Sequence, residues 1–384
     1  MSKKKRIAVF FGGMSGEHEV SLVSAASVIE VLRSRGHEIV PVGITKSGKW
    51  ITSETILSDL RRNPGITSET TLLLSSDPGF KGLVEISEKD GRTSFLRRIE
   101  VDAIFPVLHG TYGEDGTMQG LFEMSGLPYV GCGVASSAFA MDKIISKRIF
   151  AAAGLRVVPD VFFDRREWKE DREAVIARCE GLGYNLFLKP ANTGSSVGIT
   201  KAHDRKELEA GIEAALEYDF RGLAEASVDG AREIETAVLG NDRPEASIPG
   251  EITPSNEFYD YAAKYEDGKT ETTVPARLSE EETAEIRKMA VTAYSALGCT
   301  GLARVDFLKD PKTGETYINE INTLPGFTSI SMYPKLWEAT GVPYGELLER
   351  LLDLAEKRLE EKNRNSTSYR TKNEWFREKE DKKC

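Results

Sequence analysis

"KPANTGSSVG", Lys189 to Gly198, lies between the apolar run "YNLFL" and the segment "ITKA". Glycine and small side chains let backbone N–H groups come close to a charged ligand, so a polyphosphate would fit such a loop. A P-loop, however, carries its lysine at the end of G-x-x-x-x-G-K-[ST] and runs into a helix. Here the lysine comes before the loop and β-type residues follow it. The stretch therefore predicts strand–loop–strand, and at this point it serves equally as a phosphate cradle or as an ordinary hairpin connection.

Working outward, the chain opens with "RIAVFFGG", then "EVSLVSAASVIEVLRSRG" ending at Gly36, then "EIVPVGIT". That is strand, helix, strand: a parallel βαβ opening. A dinucleotide site is the rival, yet "GGMSGE" is not G-x-G-x-x-G, and the second strand lacks the acidic residue that a ribose would require. Residues around 53–100 read as an excursion from the sheet. A buried strand "VDAIFPVLHG" and a helix "TMQGLFEMSG" ending at Gly126 follow, with a break near "YVGCGVASS". From Ser136 a single helix, "AFAMDKIISKRIFAAAG", leads into the central strands. Two later strands, "GLARVDFLKD" and "ETYINEIN", precede a last helix that ends near Arg358. The reading is α/β and α+β, divided at 1–135, 136–235 and 236–360, with a disordered, charge-rich tail at 361–384.

The 384 residues carry a formal net charge of -10, which argues against nucleic acid or an anionic membrane as the main partner. No run reaches the roughly 18 apolar residues of a membrane span, and the apolar start is too short for a signal peptide, so the expectation is cytoplasmic. The 4 cysteines are scattered without a C-x-x-C pair, which suggests neither a zinc site nor a disulfide framework.

Chemistry concentrates in three places. Arg304 and Asp306 are two apart in "ARVDFLKD", as are Glu320 and Asn322 in "INEIN", so each pair shares a strand face. If the strands are neighbours, Asp306, Glu320 and Asn322 form a hard oxygen set suited to Mg²⁺. A solvated strand face with a surface ion pair is the alternative. "HGTYGEDGTMQG" follows a buried parallel strand, where open sheets place ligands. Its His109 reads as structural or as a ligand-contacting group. In "GGMSGEHEVS", Glu17 could hold a substrate ammonium, and Ser15 or Glu17 could equally cap a helix. Lys143, in "MDKIISK", is from pattern alone a solvated helix lysine.

Together, "GGMSGEHEVS", "HGTYGEDGTMQG", "MDK", "KPANTGSSVG", "KY", "ARVDF" and "INEINTLPGFTSISMYP" resemble the ATP-grasp D-alanine–D-alanine ligases, in the same order and over residues 6–358. The resemblance implies three domains, with ATP gripped between the central and C-terminal sheets. It implies D-alanyl phosphate formation from ATP and one D-alanine, then attack by the amine of a second, for peptidoglycan synthesis. Under it, Lys143 and Lys189 contact the ATP phosphates and the loop through Ser195 and Ser196 covers them. Glu225 and Glu233 meet adenine and ribose, although "EASVDGARE" is one residue longer than the family spacing. Asp306, Glu320 and Asn322 hold two Mg²⁺ ions, with Mn²⁺ as a substitute, and Arg304 with backbone N–H near Gly326 stabilises the oxyanion. Glu17 and His109 flank the first D-alanine, and Ser331 binds the second carboxylate. Tyr265 closes over the site, linked to Ser195 and Glu17, and favours an amine over a hydroxy acid as second substrate. A homodimer is implied as well. The remaining rivals are an ATP-grasp ligase for another pair of substrates, a non-catalytic nucleotide-binding module and a dinucleotide oxidoreductase.

Overall fold

Strand β1 (Arg6–Gly12) is buried from Ile7 onward on both faces, as a central parallel strand requires. In the computed structural model, which describes residues 4–194, 196–253, 271–328 and 330–368, β1 leads to helix α1 (His18–Ser34) and back to β2 (Glu38–Ile44). Gly36 sits at φ 88, a left-handed conformation that ends the helix without a Cβ clash. β1 pairs parallel with β2 and with β7 (Ala103–Val107), and β3 (Trp50–Ile51) closes the edge, giving the order β3-β2-β1-β7. After α2 (Ile56–Arg62), the excursion forms its own antiparallel sheet of β4 (Thr70–Leu74), β5 (Gly82–Lys89) and β6 (Arg92–Glu100). Helix α3 (Thr117–Ser125) follows β7 and stops at Gly126, as expected.

The single helix expected from Ser136 is instead two, α4 (Val134–Met141) and α5 (Lys143–Ala152). Asp142 breaks them: its backbone is extended, and its carboxylate caps α5 by accepting from the N–H groups of Ile144 and Ile145. The central section then contributes β8 (Asp160–Asp164), α6 (Arg165–Glu170), α7 (Arg172–Glu180), β9 (Leu186–Pro190), β10 (Thr200–Ala202), α8 (Arg205–Tyr218) and β11 (Arg221–Ala226). Its sheet runs β10-β9-β11-β8, all antiparallel, so Lys189–Gly198 does join two paired strands.

The C-terminal sheet is built from β12 (Arg232–Gly240), β13 (Glu245–Ala246), β14 (Gly250–Thr253), β15 (Glu271–Thr273), β16 (Gly301–Lys309) and β17 (Thr316–Asn322), with helix α9 (Glu280–Ala296) behind it. Helices α10 (Met332–Ala339) and α11 (Tyr344–Lys362) complete the chain, and the last helix therefore runs past Arg358 into the segment expected to be disordered. The sheets change over between Ala226 and Arg232, ahead of residue 235. Ser195, Tyr265 and the tail residues 369–384 lie outside the described residues. Among the described residues no helix is long and apolar enough to cross a membrane.

Two contacts position the site. One face of the N-terminal sheet and α1 share a single apolar cluster with α10, α11 and β12, through residues such as Phe105, Val28, Trp337, Leu351 and Leu239. Arg358 on α11 clamps the same junction. Its guanidinium donates to the Gly131 carbonyl, to Thr300 Oγ1 at 2.9 Å and to the Tyr129 carbonyl at 2.8 Å, while covering the Tyr129 ring. Arg358→Met strands those acceptors and is expected to cost about 2 kcal/mol, read as a lower urea midpoint at unchanged slope; an unmoved midpoint would show that the clamp carries no stability.

Candidate active site

The register of the C-terminal sheet aligns its polar residues in rows. Glu235 on β12 lies opposite Asp306 on β16, which lies opposite Glu320 on β17. One row on, Ala237, Arg304 and Asn322 align in the same way. Residues opposed across a ladder share a face, so three carboxylates, an amide and a guanidinium converge. Arg304 Nε and Nη2 donate to the two oxygens of Asp306 at 2.7 and 2.6 Å, and Nε lies 3.1 Å from Glu235. Burial alone would lower the Arg304 pKa, but Asp306, Glu235 and Glu320 hold it well above its ordinary value. The alternative of a solvated strand face does not hold for Asp306, which is 9% exposed.

This face forms one wall of a cleft of about 1350 Å³, whose lining includes every described residue expected at the site. On the opposite wall, Lys143 Nζ donates to the Thr193 carbonyl at 2.5 Å and so braces the Lys189–Gly198 loop, in which Ser196 adopts a left-handed φ of 59. Lys189 pairs with Glu225 Oε2, and Lys147 with Glu225 Oε1. Burial would raise the Glu225 pKa, yet the charges of Lys189 and Lys147 overcome it and bring the carboxyl down to about 2. Both oxygens therefore serve lysines, which the expectation of an adenine contact did not foresee. Glu233 lies further along the same cleft.

The N-terminal loops close the third side. Glu17 precedes α1 without a side-chain capping bond, so the capping role open in the sequence is not used by its carboxylate. A Cβ on Gly110 would stand 2.7 Å from Glu17 Oε2 and one on Gly194 would stand 2.8 Å from it. Glycine at both positions lets the "HGTYGED" and "KPANTGSSVG" loops meet around that carboxylate without displacing it. His109 Nδ1 bonds the Leu324 carbonyl at 2.8 Å, which requires the proton on Nδ1. Burial lowers its pKa, so Nε2 is an acceptor, 3.4 Å from Ser24 Oγ, which itself accepts from Phe327 N–H at 3.3 Å. His109 thus holds the 323–331 segment directly through Nδ1 and, through Nε2, by way of Ser24 on α1. There Ser331 Oγ accepts from Thr328 N–H at 3.1 Å, and a Cβ on Gly326 would come within 3.1 Å of that oxygen.

Family models described as D-ala D-ala ligase N-terminus and C-terminus match residues 6–132 and 149–353. The chain belongs to the D-alanine–D-alanine ligase family. A curated D-alanine–D-alanine ligase of Natranaerobius thermophilus is 48% identical over 368 residues, 96% of this chain and 99% of that one. One from Thermoanaerobacter sp. strain X514 is 50% identical, covering 92% and 97%. Among solved structures, a D-Ala:D-Ser ligase from Enterococcus faecalis is 40% identical with a TM-score of 0.80, covering 92% of this chain and all of that one. The D-alanine–D-alanine ligase from Coxiella burnetii is 35% identical with a TM-score of 0.79, covering 94% and 97%. As a family member the chain is an ATP-dependent ligase with the multi-domain fold of these enzymes.

Four residues of this ligase's cleft region escaped the sequence reading: Ser24, Glu114, Lys147 and Glu235. Lys147 and Glu235 had a signal, since each follows a chosen residue at same-face spacing, four on from Lys143 in a helix and two on from Glu233 in a strand. Glu114 sits within a quoted motif, and Ser24 had no signal at all. Glu114 is buried beneath Glu17 and accepts from Gly110 N–H at 2.7 Å. Burial, reinforced by the Glu17 charge, raises its pKa from 4.5 to about 8. In that window the unfolded carboxyl has lost its proton and the folded one keeps it, so stability falls as pH rises. Glu114→Gln is expected to flatten this slope, by up to about 1.4 kcal/mol per pH unit, in urea titrations across the window; parallel wild-type and variant slopes would mean that Glu114 ionises normally in the fold.

Proposed function

We propose that this cleft performs the family reaction with D-alanine in both positions: ATP and one D-alanine give D-alanyl phosphate, and the amine of a second displaces phosphate to give D-alanyl-D-alanine for peptidoglycan. A carboxylate is a poor electrophile until one oxygen becomes a leaving group, and both steps build negative charge that must be neutralised. The observation that carries the reading is the pair of aligned rows facing Lys143 and Lys189 across one cleft. The lysines and the Ser195–Ser196 loop hold the phosphates, Glu233 lies toward the ribose, and Glu225 holds the floor near adenine.

Three carboxylates and an amide oxygen gather around Arg304 on the opposite wall, and that set of hard oxygen donors fits divalent cations. Asp306, Glu320 and Asn322 would hold two Mg²⁺ ions, whose chemistry is neutralisation of phosphate charge. Arg304, kept by Glu235 when Asp306 turns to a cation, and the backbone N–H near Gly326 face the oxyanion. Glu17 takes the first ammonium, His109 positions the 323–331 segment beside it, and Ser331 binds the second carboxylate. Tyr265, outside the described residues, is assigned the selection of an amine. The enzyme works in the cytoplasm, as a homodimer, in domains 1–135, 136–235 and 236–360.

Phosphate release with ATP, Mg²⁺ and D-alanine, followed by mass spectrometry of products in equimolar D-alanine, D-serine and D-lactate, tests the assignment. D-alanyl-D-alanine is expected to dominate; a preference for D-serine, as in the name of the Enterococcus structure, would reassign the second substrate. Arg304→Ala is expected to lower kcat by about 10²–10³ while ATP still binds. Lost ATP affinity with turnover intact at saturation would remove Arg304 from the oxyanion.

A further inference from the structure

Lys147 stands one helical turn beyond Lys143 on α5 but is not part of the cleft lining. Its side chain is 3% exposed, and its ammonium donates to the Val158 carbonyl at 2.8 Å and to Glu225 Oε1, with Asp160 at 3.9 Å. Asp160 has its own partner in Arg148 at 3.1 Å. Glu225 is equally enclosed, at 5% side-chain exposure, whereas Lys189 is at 13% and lines the cleft. One carboxylate is thus shared by an enclosed lysine behind it and a lysine at the cleft surface.

Resting on the ATP-binding reading above, we propose that Lys147 is a positioning residue: it is the permanent counter-ion of Glu225, and it thereby releases Lys189 to move onto a nucleotide phosphate. The register makes the hand-over local. Lys189 lies opposite Leu223, and Glu225 is two residues further along the same strand on the same face, so their ammonium and carboxylate are diagonal neighbours. In this structure Lys189 rests on Glu225. When a polyphosphate arrives, the lysine changes partner. A buried carboxylate left without any cation carries a heavy desolvation cost, which would hold Lys189 in place. Lys147 removes that cost because it stays on Oε1 throughout. The bond to Val158 and the enclosure of its side chain prevent it from following Lys189 into the cleft. Two lysines against one carboxylate also leave one positive charge in surplus, and the only one of the two with a path to the ligand is Lys189.

The test is steady-state kinetics with ATP and D-alanine varied separately, with melting temperature followed for each variant. Lys147→Met is expected to raise the KM for ATP about tenfold or more, the loss of one charge-assisted phosphate contact, while the KM for D-alanine stays near wild type. Adding Glu225→Gln to Lys147→Met removes the charge that detains Lys189 and is expected to recover at least about threefold of the lost ATP KM. A merely structural ion pair predicts no such recovery, and a double variant no better than Lys147→Met overturns the proposal. If Lys147→Met does not fold, Lys147→Arg decides: keeping the charge, it should hold the ATP KM within about threefold, and a tenfold rise at unchanged melting temperature overturns the counter-ion role. Wild-type protein that binds no ATP would instead remove the parent reading, before any variant is compared.

Discussion

Three adjacent strands in register impose the central constraint on this protein. Because β12, β16 and β17 align Glu235, Asp306 and Glu320 in one row and Arg304 with Asn322 in the next, charge that the chain carries far apart is forced onto one half-buried face. Gathering three carboxylates on one low-dielectric wall is costly even beside a guanidinium. The face is tolerable only where it opens on a cleft that water or cations can enter. That opening is what the other two sections surround, and their loops are shaped by what faces it.

The central sheet meets this acidic wall with the opposite imbalance, two lysines on one carboxylate. Under the proposed function, a polyphosphate with its metal ions would suit both walls, the metals against the carboxylates and the phosphates against the lysines. Each wall also contains a reserve partner. Glu235 remains beside Arg304 if Asp306 turns away, and Lys147 remains beside Glu225 if Lys189 does. Charged groups in such a site can exchange partners without passing through an unpaired state, which makes it compatible with a ligand that arrives and leaves in every cycle.

The N-terminal section supplies rigidity and close approach. Its sheet shares an apolar core with α10 and α11, so its loops cannot drift from the C-terminal wall. His109, Ser24 and the backbone of 324–327 extend that hold in polar form. Against this scaffold, Gly110 and Gly194 allow two loops from different sections to reach the Glu17 carboxylate together. Glu114 nearby, held neutral by burial, spares the Glu17 end of the cleft a second negative charge.

What the sequence determined by itself is local and periodic. The βαβ opening, the strand–loop–strand at Lys189–Gly198 and the same-face pairing of Arg304 with Asp306 and of Glu320 with Asn322 follow from short-range geometry, in which spacing along a strand or helix sets direction. The order of its motifs was enough to place it in a family. The break at Asp142 was missed because a mid-run aspartate reads as an ordinary helix residue until its carboxylate is seen capping the next turn. Only the tertiary structure decided that Lys147 and Lys189 share Glu225, that Glu235 completes the acidic row, and that His109 links Ser24 on α1 to the carbonyl of Leu324. Those outcomes depend on strand register and on desolvation, and both are set by residues far apart in the chain that no local pattern connects.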